Sequence, residues 1–370
     1  QVHKVIDNEL LSWDEASGRI MADNFGMLLR FHSMKKLEHR LNRLNEQLGH
    51  LCDEQGVSYG LRLFFGVYLV TDKEMPVSAM MERANLALKK TLQLPQHLKK
   101  IGVYDEKEHQ KLEREKHLEM RMEQALKNGE FVPYLQPKYE LTHETIAGAE
   151  ALVRWVSPEE GMIFPGEFIP LFEKNGFIVE LDLYMFEQVC KMIESWHKNG
   201  YRIIPVSVNM SRGHFLVPNF FDRYKEILER YDVPKGSIEI ELTESLFLNE
   251  ISTMTDLVNK IHEVGLRCSI DDFGSGYSSL NMLKDIKVDA LKLDRVFFIK
   301  TEEDKRGKDI INSILHLAQN LHLQTISEGV EIRSQVEYLK EMDCDYIQGY
   351  VFAKPMPVKD FVKIAFAKSV

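Results

Sequence analysis

The sequence has few cysteines, no long apolar run and no excess of basic residues, and each of these absences excludes a class of protein. Its 370 residues include four cysteines with no CxxC pair and no disulfide-framework spacing, so we expect buried thiols in a reducing cytosol. No apolar run approaches the ~18 residues of a membrane-spanning helix, and the first residues do not form a signal peptide. The net charge of −10 argues against a binder of duplex nucleic acid, but it permits a small anionic ligand held by metal ions.

Length and composition indicate a soluble globular protein of two or three domains. Hydrophobic residues make up 44% and charged residues 28% of the chain, as in ordinary globular proteins. We predict a small α/β domain at 1–104, a linking helix at 105–129 and a larger α/β domain at 130–370. The linking helix is predicted from a charge-dense segment with apolar residues at helical spacing. The expected location is the cytoplasm, with any tether to a membrane or a sensor upstream of residue 1.

The first hundred residues predict a compact α/β unit. Asp23-Asn24 tolerates a left-handed backbone and predicts a hairpin between two strands. Ser33 can cap a helix whose leucines recur on one stripe. Alternating apolar residues predict a strand from residue 61 to 69, and Pro76 predicts the start of a second helix.

From residue 131 onward, short apolar strands alternate with long amphipathic helices. The predicted strands lie near 131–136, 145–152, 203–209, 237–242, 266–271, 289–293, 324–328 and 346–350. Only a short turn at Thr142-His143 joins the first two strands, so we expect them to be antiparallel. Eight strands with helices between them predict an α/β fold, an irregular TIM-like (β/α)8 barrel with an antiparallel first strand.

Two neighbouring aspartates, Asp271 and Asp272, end one of these strands and precede a glycine-rich turn. Successive strand side chains point to opposite faces, so one carboxylate must lie on the last pleat and the other where the chain begins to turn. That arrangement suits a pair of metal ions bridged by one carboxylate. The alternative is a solvated turn.

Polar residues occupy the last inward-facing position of every predicted barrel strand, where the chemistry of such barrels gathers. Burying them without partners would be costly, and metal ions with a bound anion would compensate. Any one of them alone could instead be a satisfied core residue or a helix cap. They are Gln136, Glu150, Asn209, Glu241, Asp271, Lys292, Glu328 and Gln348.

The same positions carry a family resemblance over roughly residues 120–365. The motifs resemble, in order, those of EAL phosphodiesterases: Gln136-Pro137, Glu150-Ala151-Leu152, Ser207-Val208-Asn209, Glu241-Leu242-Thr243-Glu244, Asp271-Asp272-Phe273-Gly274, Lys292-Leu293-Asp294, Glu328-Gly329 and Gln348-Gly349. The resemblance implies a cyclic-guanylate-specific phosphodiesterase that hydrolyses one phosphodiester bond of cyclic di-GMP to linear pGpG. It also implies Mg²⁺ or Mn²⁺ as cofactor and a homodimer formed through the EAL domain. Because Ca²⁺ prefers longer bonds and more ligands, we expect it to inhibit.

The resemblance also assigns roles to individual residues. The first metal would be held by Glu150, Asn209, Glu241 and Asp271, and the second by Asp271 and Asp272. Glu328 would be the base or an outer ligand of the second metal, and Lys292 would orient the attacking water. Substrate contacts would come from Gln136, Arg154 and Gln348, with Gln348 near the second metal or the water. Glu244 would support the loop that follows Asp272.

The N-terminal unit resembles the later part of a GGDEF domain, the diguanylate cyclase fold. The predicted hairpin tip reads Met21-Ala22-Asp23-Asn24-Phe25 where that family has Gly-Gly-Asp/Glu-Glu-Phe. Ser12 and Glu15 stand where an RxxD product-inhibition motif would have its Arg and Asp. This implies a truncated, degenerate module without cyclase activity, in a structural or regulatory role.

Two alternatives to hydrolysis remain at this point. The barrel could be a non-catalytic cyclic di-GMP receptor that signals through the linking helix, or a metal-binding scaffold that recruits a partner protein. Receptors of this kind typically lose metal ligands, and all the expected ligands are present in this sequence. The sequence therefore favours the phosphodiesterase.

Overall fold

The computed structural model describes residues 5–7, 14–21, 23–54, 63–93, 100–248, 251–274, 281–298 and 305–367. The chain divides into two compact units, Gln1–Arg114 and Glu115–Val370, so the division lies inside the segment predicted to link the domains. Some predicted features lie outside the described residues: Ser12, Ala22, the start of the 61–69 strand and the loop at 275–277. None of the described helices combines the length and apolar character that spanning a bilayer requires.

The first unit contains the predicted hairpin and both predicted helices. Strands β1 and β2 pair antiparallel, whereas β3 and β4 pair parallel. The predicted 61–69 strand is shorter in the structure. The elements are β1 (Ala16–Met21), β2 (Asn24–Leu28), α1 (Met34–Glu54), β3 (Phe65–Val67), α2 (Val77–Gln93) and β4 (Ile101–Val103).

The core of this unit forms along the leucine stripe of α1. Leu41, Leu44 and Leu48 are buried together with Ile101 of β4. Beside them, Arg40 of α1 donates two hydrogen bonds to the buried carboxylate of Glu15, each 2.7 Å long. Glu15 is therefore paired inside the unit.

The second unit begins within helix α3 (Glu106–Lys127), whose Leu118 and Ala125 belong to the barrel's hydrophobic core. Its strands are β5 (Phe131–Glu140), β6 (Thr145–Ser157), β7 (Gly161–Ile163), β8 (Val206–Asn209), β9 (Ile238–Thr243), β10 (Arg267–Phe273), β11 (Ala290–Leu293), β12 (Gln324–Glu328), β13 (Tyr346–Gln348) and β14 (Met356–Pro357). Its further helices are α4 (Pro165–Asn175), α5 (Ile178–Lys198), α6 (Phe220–Leu228), α7 (Ile251–Glu263), α8 (Asn281–Asp285), α9 (Lys305–Asn320), α10 (Arg333–Glu341) and α11 (Val358–Ala365).

Eight of these strands close into a barrel in the order β5-β13-β12-β11-β10-β9-β8-β6, with β6 pairing back to β5. The predicted irregular (β/α)8 barrel is confirmed. Strand β5 is antiparallel to both of its barrel neighbours, as the short first connection predicted. The short strands β7 and β14 were not predicted, because two or three residues are too few to show a period of two.

Strand β9 shows how the barrel separates apolar from charged residues. In β9, Ile238, Ile240 and Leu242 are buried in the hydrophobic core, while the alternate residues Glu239 and Glu241 are buried polar groups. This pattern follows from the period of two in a strand, since helices cover the outer face. The barrel interior is therefore the place where charged side chains converge.

Candidate functional site

A buried lysine lies at the centre of the predicted site. Lys292 of β11 is fully buried, and its Nζ lies 2.6 Å from Glu241 Oε2, 2.9 Å from Asp271 Oδ1 and 2.6 Å from Glu328 Oε1. Glu150 Oε2 lies 3.6 Å from the same nitrogen. Four strands thus bring four carboxylates to one ammonium group, as expected where the carboxyl ends of barrel strands meet.

The aspartate pair lies where β10 ends and the chain turns. Asp271 is buried, whereas Asp272 is partly exposed and has a φ of 55°, in the left-handed region. The pairing of β10 with β11 shifts register between Ile270 and Phe273, so the two carboxylates do not follow strand alternation. One carboxylate oxygen from each of Asp271, Asp272 and Glu328 lies within 4.8 Å of the others. The sequence predicted Asp271 on the last pleat and Asp272 in the following turn, whereas both lie within β10, which continues to Phe273 with the left-handed residue Asp272 inside it.

Side-chain amides surround the other carboxylate, Glu150. Asn209 Nδ2 donates to Glu150 Oε1 over 3.0 Å, and Gln348 Nε2 donates to Glu150 Oε2. Gln348 also donates to Gln136 Oε1, and Gln136 lies opposite Glu150 in the antiparallel pair of β5 and β6. The structure therefore brings these four predicted residues together on one side of Lys292.

Glu244 contacts the backbone of the loop beyond Asp272. Its buried carboxylate accepts a 2.7 Å hydrogen bond from the Gly274 N–H. Gly274 has a φ of +91°, and a Cβ at this position would lie 2.0 Å from the Phe297 ring. Only glycine fits both the backbone conformation and the close approach of the ring.

Arg154 lies further along β6, with the aromatic ring of Tyr134. Its Nη1 donates to the carbonyl of Val153 over 2.8 Å, and its guanidinium carbon lies 5.6 Å from the centre of the Tyr134 ring. Arg154 is partly buried. Arg154 is linked to the Lys292 cluster by its position in β6, the strand that also contains Glu150.

Burial and mutual repulsion control the protonation of this cluster. Burial, reinforced by Asp271 and Glu150 against the opposing charge of Lys292, raises the pKa of Glu328 to about 8. Partial burial and the neighbouring Asp271 raise the pKa of Asp272 to about 7. Burial and Glu241 also raise the pKa of Glu150. In Glu241, burial would raise the pKa, but the charges of Lys138 and Lys292 together lower it to about 2.

The sequence reading missed two charged residues directly beneath the site. Lys138 and Glu239 are buried one inward position further into the barrel than Gln136 and Glu241. The signal was present in the sequence, since each lies two residues from a predicted site residue on the same strand. Lys138 was not predicted because the first strand was expected to end at residue 136, whereas β5 extends to Glu140, and Glu239 was not predicted because only the last inward residue of its strand was expected at the site.

The residues fit a pair of hard divalent cations. The cluster offers only carboxylate and amide oxygens, which Mg²⁺ and Mn²⁺ prefer. Five carboxylates, Glu150, Glu241, Asp271, Asp272 and Glu328, lie with two buried lysines, and burial together with repulsion between the carboxylates raises the pKa values of Glu150, Asp272 and Glu328. Additional positive charge would stabilise the ionised form of the cluster.

The chain is similar in sequence to a protein family and to several known proteins. The EAL domain family matches residues 119–355. The chain is 35% identical to "Cyclic di-GMP phosphodiesterase NbdA" of Pseudomonas aeruginosa over 65% of its length and 31% of the relative's. It is 34% identical to "Probable cyclic di-GMP phosphodiesterase PdeG" of Escherichia coli, over 67% of this chain and 49% of that protein. It thus spans less than half the length of either relative.

Two further comparisons extend this result. The solved structure "PaMucR Phosphodiesterase, c-di-GMP complex" aligns with a TM-score of 0.63 and 32% identity, covering 66% of this chain and 99% of that one. An "Uncharacterized signaling protein" of Caulobacter vibrioides is 30% identical over 85% of this chain and 38% of its own length, a match that extends beyond the barrel unit. Since the family match covers more than half of the chain, the protein belongs to the EAL domain family.

Proposed function

We propose that this protein hydrolyses one phosphodiester bond of cyclic di-GMP to give linear pGpG, with Mg²⁺ or Mn²⁺ as cofactor. The observation that carries the proposal is the convergence of Glu150, Glu241, Asp271 and Glu328 on Lys292, with Asp272 beside them. Two relatives named as a cyclic di-GMP phosphodiesterase and a probable cyclic di-GMP phosphodiesterase match this chain at about one-third identity.

The proposed metal ligands are residues of this cluster. Glu150, Asn209, Glu241 and Asp271 would hold one ion, and Asp271 with Asp272 would hold the second. Asn209 now donates its amide nitrogen to Glu150, and a flip of the amide would present its oxygen instead. When bound, the two ions supply positive charge at the phosphate and lower the pKa of water.

The chain's own groups would bind, orient and transfer protons. Glu328 is the proposed acceptor of the proton that water loses on attacking phosphorus, and its pKa of about 8 in the metal-free protein lies in the range useful for a base. Lys292 offsets the negative charge that accumulates in the transition state. Gln136, Gln348 and Arg154 are the proposed substrate contacts, and the planar guanidinium of Arg154 suits a phosphate or a guanine edge.

The test is direct incubation of the chain with cyclic di-GMP and either Mg²⁺ or Mn²⁺, followed by separation of nucleotides. We expect pGpG to form with the metal and not after chelation. Binding of cyclic di-GMP without any pGpG would indicate the alternative, a receptor that signals through α3. If the chain neither bound cyclic di-GMP nor formed pGpG, that result would contradict both functions.

We further propose that the first unit is a degenerate GGDEF remnant without cyclase activity. The hairpin of β1 and β2, followed by α1, β3 and α2, has the element order of the later part of that domain. The Caulobacter vibrioides relative matches over a length that includes part of this unit. Its role would be structural or regulatory. Homodimer formation through the EAL domain and a cytoplasmic location also remain predictions.

A further inference from the structure

A second layer of charge lies beneath the candidate metal ligands. Lys138 of β5 is 6% exposed, and its Nζ lies 2.9 Å from Glu241 Oε1 and 3.3 Å from Glu239 Oε1. Glu239 and Glu241 are successive inward residues of β9. A single lysine, contributed by the antiparallel strand, therefore joins the proposed metal ligand Glu241 to a glutamate one layer deeper in the barrel.

Both oxygens of Glu241 are held by cations from different strands. Lys138 binds Oε1, and Lys292 binds Oε2 at 2.6 Å. Charge-assisted hydrogen bonds to both oxygens fix the plane of a carboxylate as well as its position. Lys292 belongs to the proposed reaction centre, whereas the ion pairs of Lys138 are with Glu239 and Glu241 only, among the described residues. Lys138 thus orients Glu241 from the side away from the other ligands.

Glu239 is in turn fixed in the lower layer. Ser269 Oγ donates to Glu239 Oε1 over 3.0 Å, and Arg267 Nη2 lies 3.8 Å from Glu239 Oε2. A cavity of about 80 Å³ lies here, lined by Lys138, Glu239 and Arg267 among other residues. Lys138 is consequently held between a fixed acid below and the site carboxylate above.

We propose that Lys138 is a positioning residue that orients Glu241 for metal binding, with Glu239 as its counter-ion. The inference rests on the proposed function of the site. Lys138 does not contact the substrate or the metal, and it acts through Glu241. Residues that orient metal ligands in this way typically change metal affinity by about 10–100-fold when they are replaced.

Lys138 could instead only neutralise the charge of the buried glutamates, without orienting Glu241. Lys138→Met would leave Glu241 with Lys292 and Glu239 with only the more distant Arg267, and this partial loss of buried positive charge would destabilise the barrel, so the single change could act simply through folding. The double variant Lys138→Met/Glu239→Gln separates the two roles. It removes one positive and one negative charge, so the net charge of the interior does not change. Lys292 still binds Glu241 Oε2, but Glu241 Oε1 no longer has its lysine.

The experiment measures Mn²⁺ affinity by calorimetry, without nucleotide, alongside thermal unfolding. The variants are Lys138→Met, the double variant and the matched control Lys340→Met. Lys340 lies away from the barrel interior, and its Nζ is 2.6 Å from Glu144 Oε1. We expect Mn²⁺ affinity about 10–100-fold weaker in both Lys138 variants and unchanged in the control. We also expect turnover of the double variant to recover as Mn²⁺ is raised, with KM for cyclic di-GMP unchanged.

The inference is overturned if the double variant folds and binds Mn²⁺ as tightly as the parent chain. If the single variant does not fold, the double variant alone decides. A parent chain that binds Mn²⁺ but makes no pGpG would contradict the proposed hydrolysis while leaving the role of Lys138 testable by calorimetry. A parent chain that binds no Mn²⁺ would overturn the proposed metal site, and the role of Lys138 with it.

Discussion

Glu150 is a buried, hydrogen-bonded carboxylate of the proposed site. Its carboxylate is buried among Asn209, Gln348 and Lys292. We expect Glu150→Ala to abolish pGpG formation, because it removes an anionic ligand from a prearranged site. The fold should remain, since the change takes no apolar area from the core.

Product formation and circular dichroism measure the two effects. The matched control is Glu337→Ala, an exposed glutamate paired with Arg333 on α10, which should keep full activity. Near-normal turnover by folded Glu150→Ala protein would contradict the assignment.

Glu244 acts on the site through the loop backbone. We expect Glu244→Ala to lower turnover by about 10–100-fold, because the Gly274 N–H loses its acceptor and Asp272 loses its support. Glu244→Gln keeps an acceptor oxygen and should lose less. Steady-state kinetics of both variants, with Mn²⁺ titrations, test this. Equal activity in the parent chain and Glu244→Ala would indicate a glutamate without a supporting role.

The choice of metal follows from the size of the ligand cluster. Ca²⁺ takes about 6–8 ligands at ~2.3–2.6 Å, whereas Mg²⁺ takes six at ~2.0–2.1 Å. The oxygen-only site should therefore admit Ca²⁺ without useful turnover. We expect Ca²⁺ to inhibit and excess Mn²⁺ to relieve the inhibition, measured as pGpG formed at fixed cyclic di-GMP. Turnover with Ca²⁺ alone comparable to that with Mg²⁺ would contradict the two-metal proposal.

At the scale of elements, strand β10 and its turn show how tightly the backbone is constrained. Gly274 combines a φ of +91° with a virtual Cβ only 2.0 Å from the Phe297 ring. We expect Gly274→Ala to destabilise the protein by about 1–3 kcal/mol from backbone strain alone, and to lower activity by displacing Asp272. Chemical denaturation and turnover measure the two effects.

The double variant Gly274→Ala/Phe297→Ala serves as the control for that change. It relieves the ring contact and leaves the backbone strain, so it should restore part of the lost activity. A Gly274→Ala protein as stable and active as the parent chain would show that the turn tolerates a side chain.

The elements also show which parts of the site could be predicted. Alternation along each strand predicted the upper ring of polar residues, because burial of a charged group in an apolar run is conspicuous. The positive φ of Asp272 and the register shift in β10 were not predicted, since they depend on the pairing with β11. Lys138 was not predicted because β5 extends beyond its expected end at residue 136, and Glu239 because it lies one inward position below the end of β9.

At the scale of the whole molecule, the two units differ in how well their sequences predicted function. The barrel motifs recur in order along the chain, whereas the hairpin of the first unit carries only part of the GGDEF pattern that it resembles. Glu15 is paired with Arg40 in the core of that unit. Its carboxylate is therefore already engaged inside the unit.

We therefore expect no cyclic di-GMP from GTP. The measurement is best made with the Glu150→Ala chain, in which any product would not be hydrolysed. A diguanylate cyclase of known activity serves as the positive control. Detectable cyclic di-GMP above the level without protein would contradict the prediction.

The reversed direction of β5 determines where the chain enters the barrel. Because β5 is antiparallel, its first residue, Phe131, pairs with Trp155 near the carboxyl end of β6, at the rim that carries the site. Glu130 is bound there too, accepting hydrogen bonds from the Trp155 side chain and the Val156 N–H. In an ordinary barrel the incoming chain would arrive at the opposite rim. A twist or displacement of α3 would here reach Gln136 within a few residues, so a mechanical input through α3 would arrive at the rim that carries the proposed site.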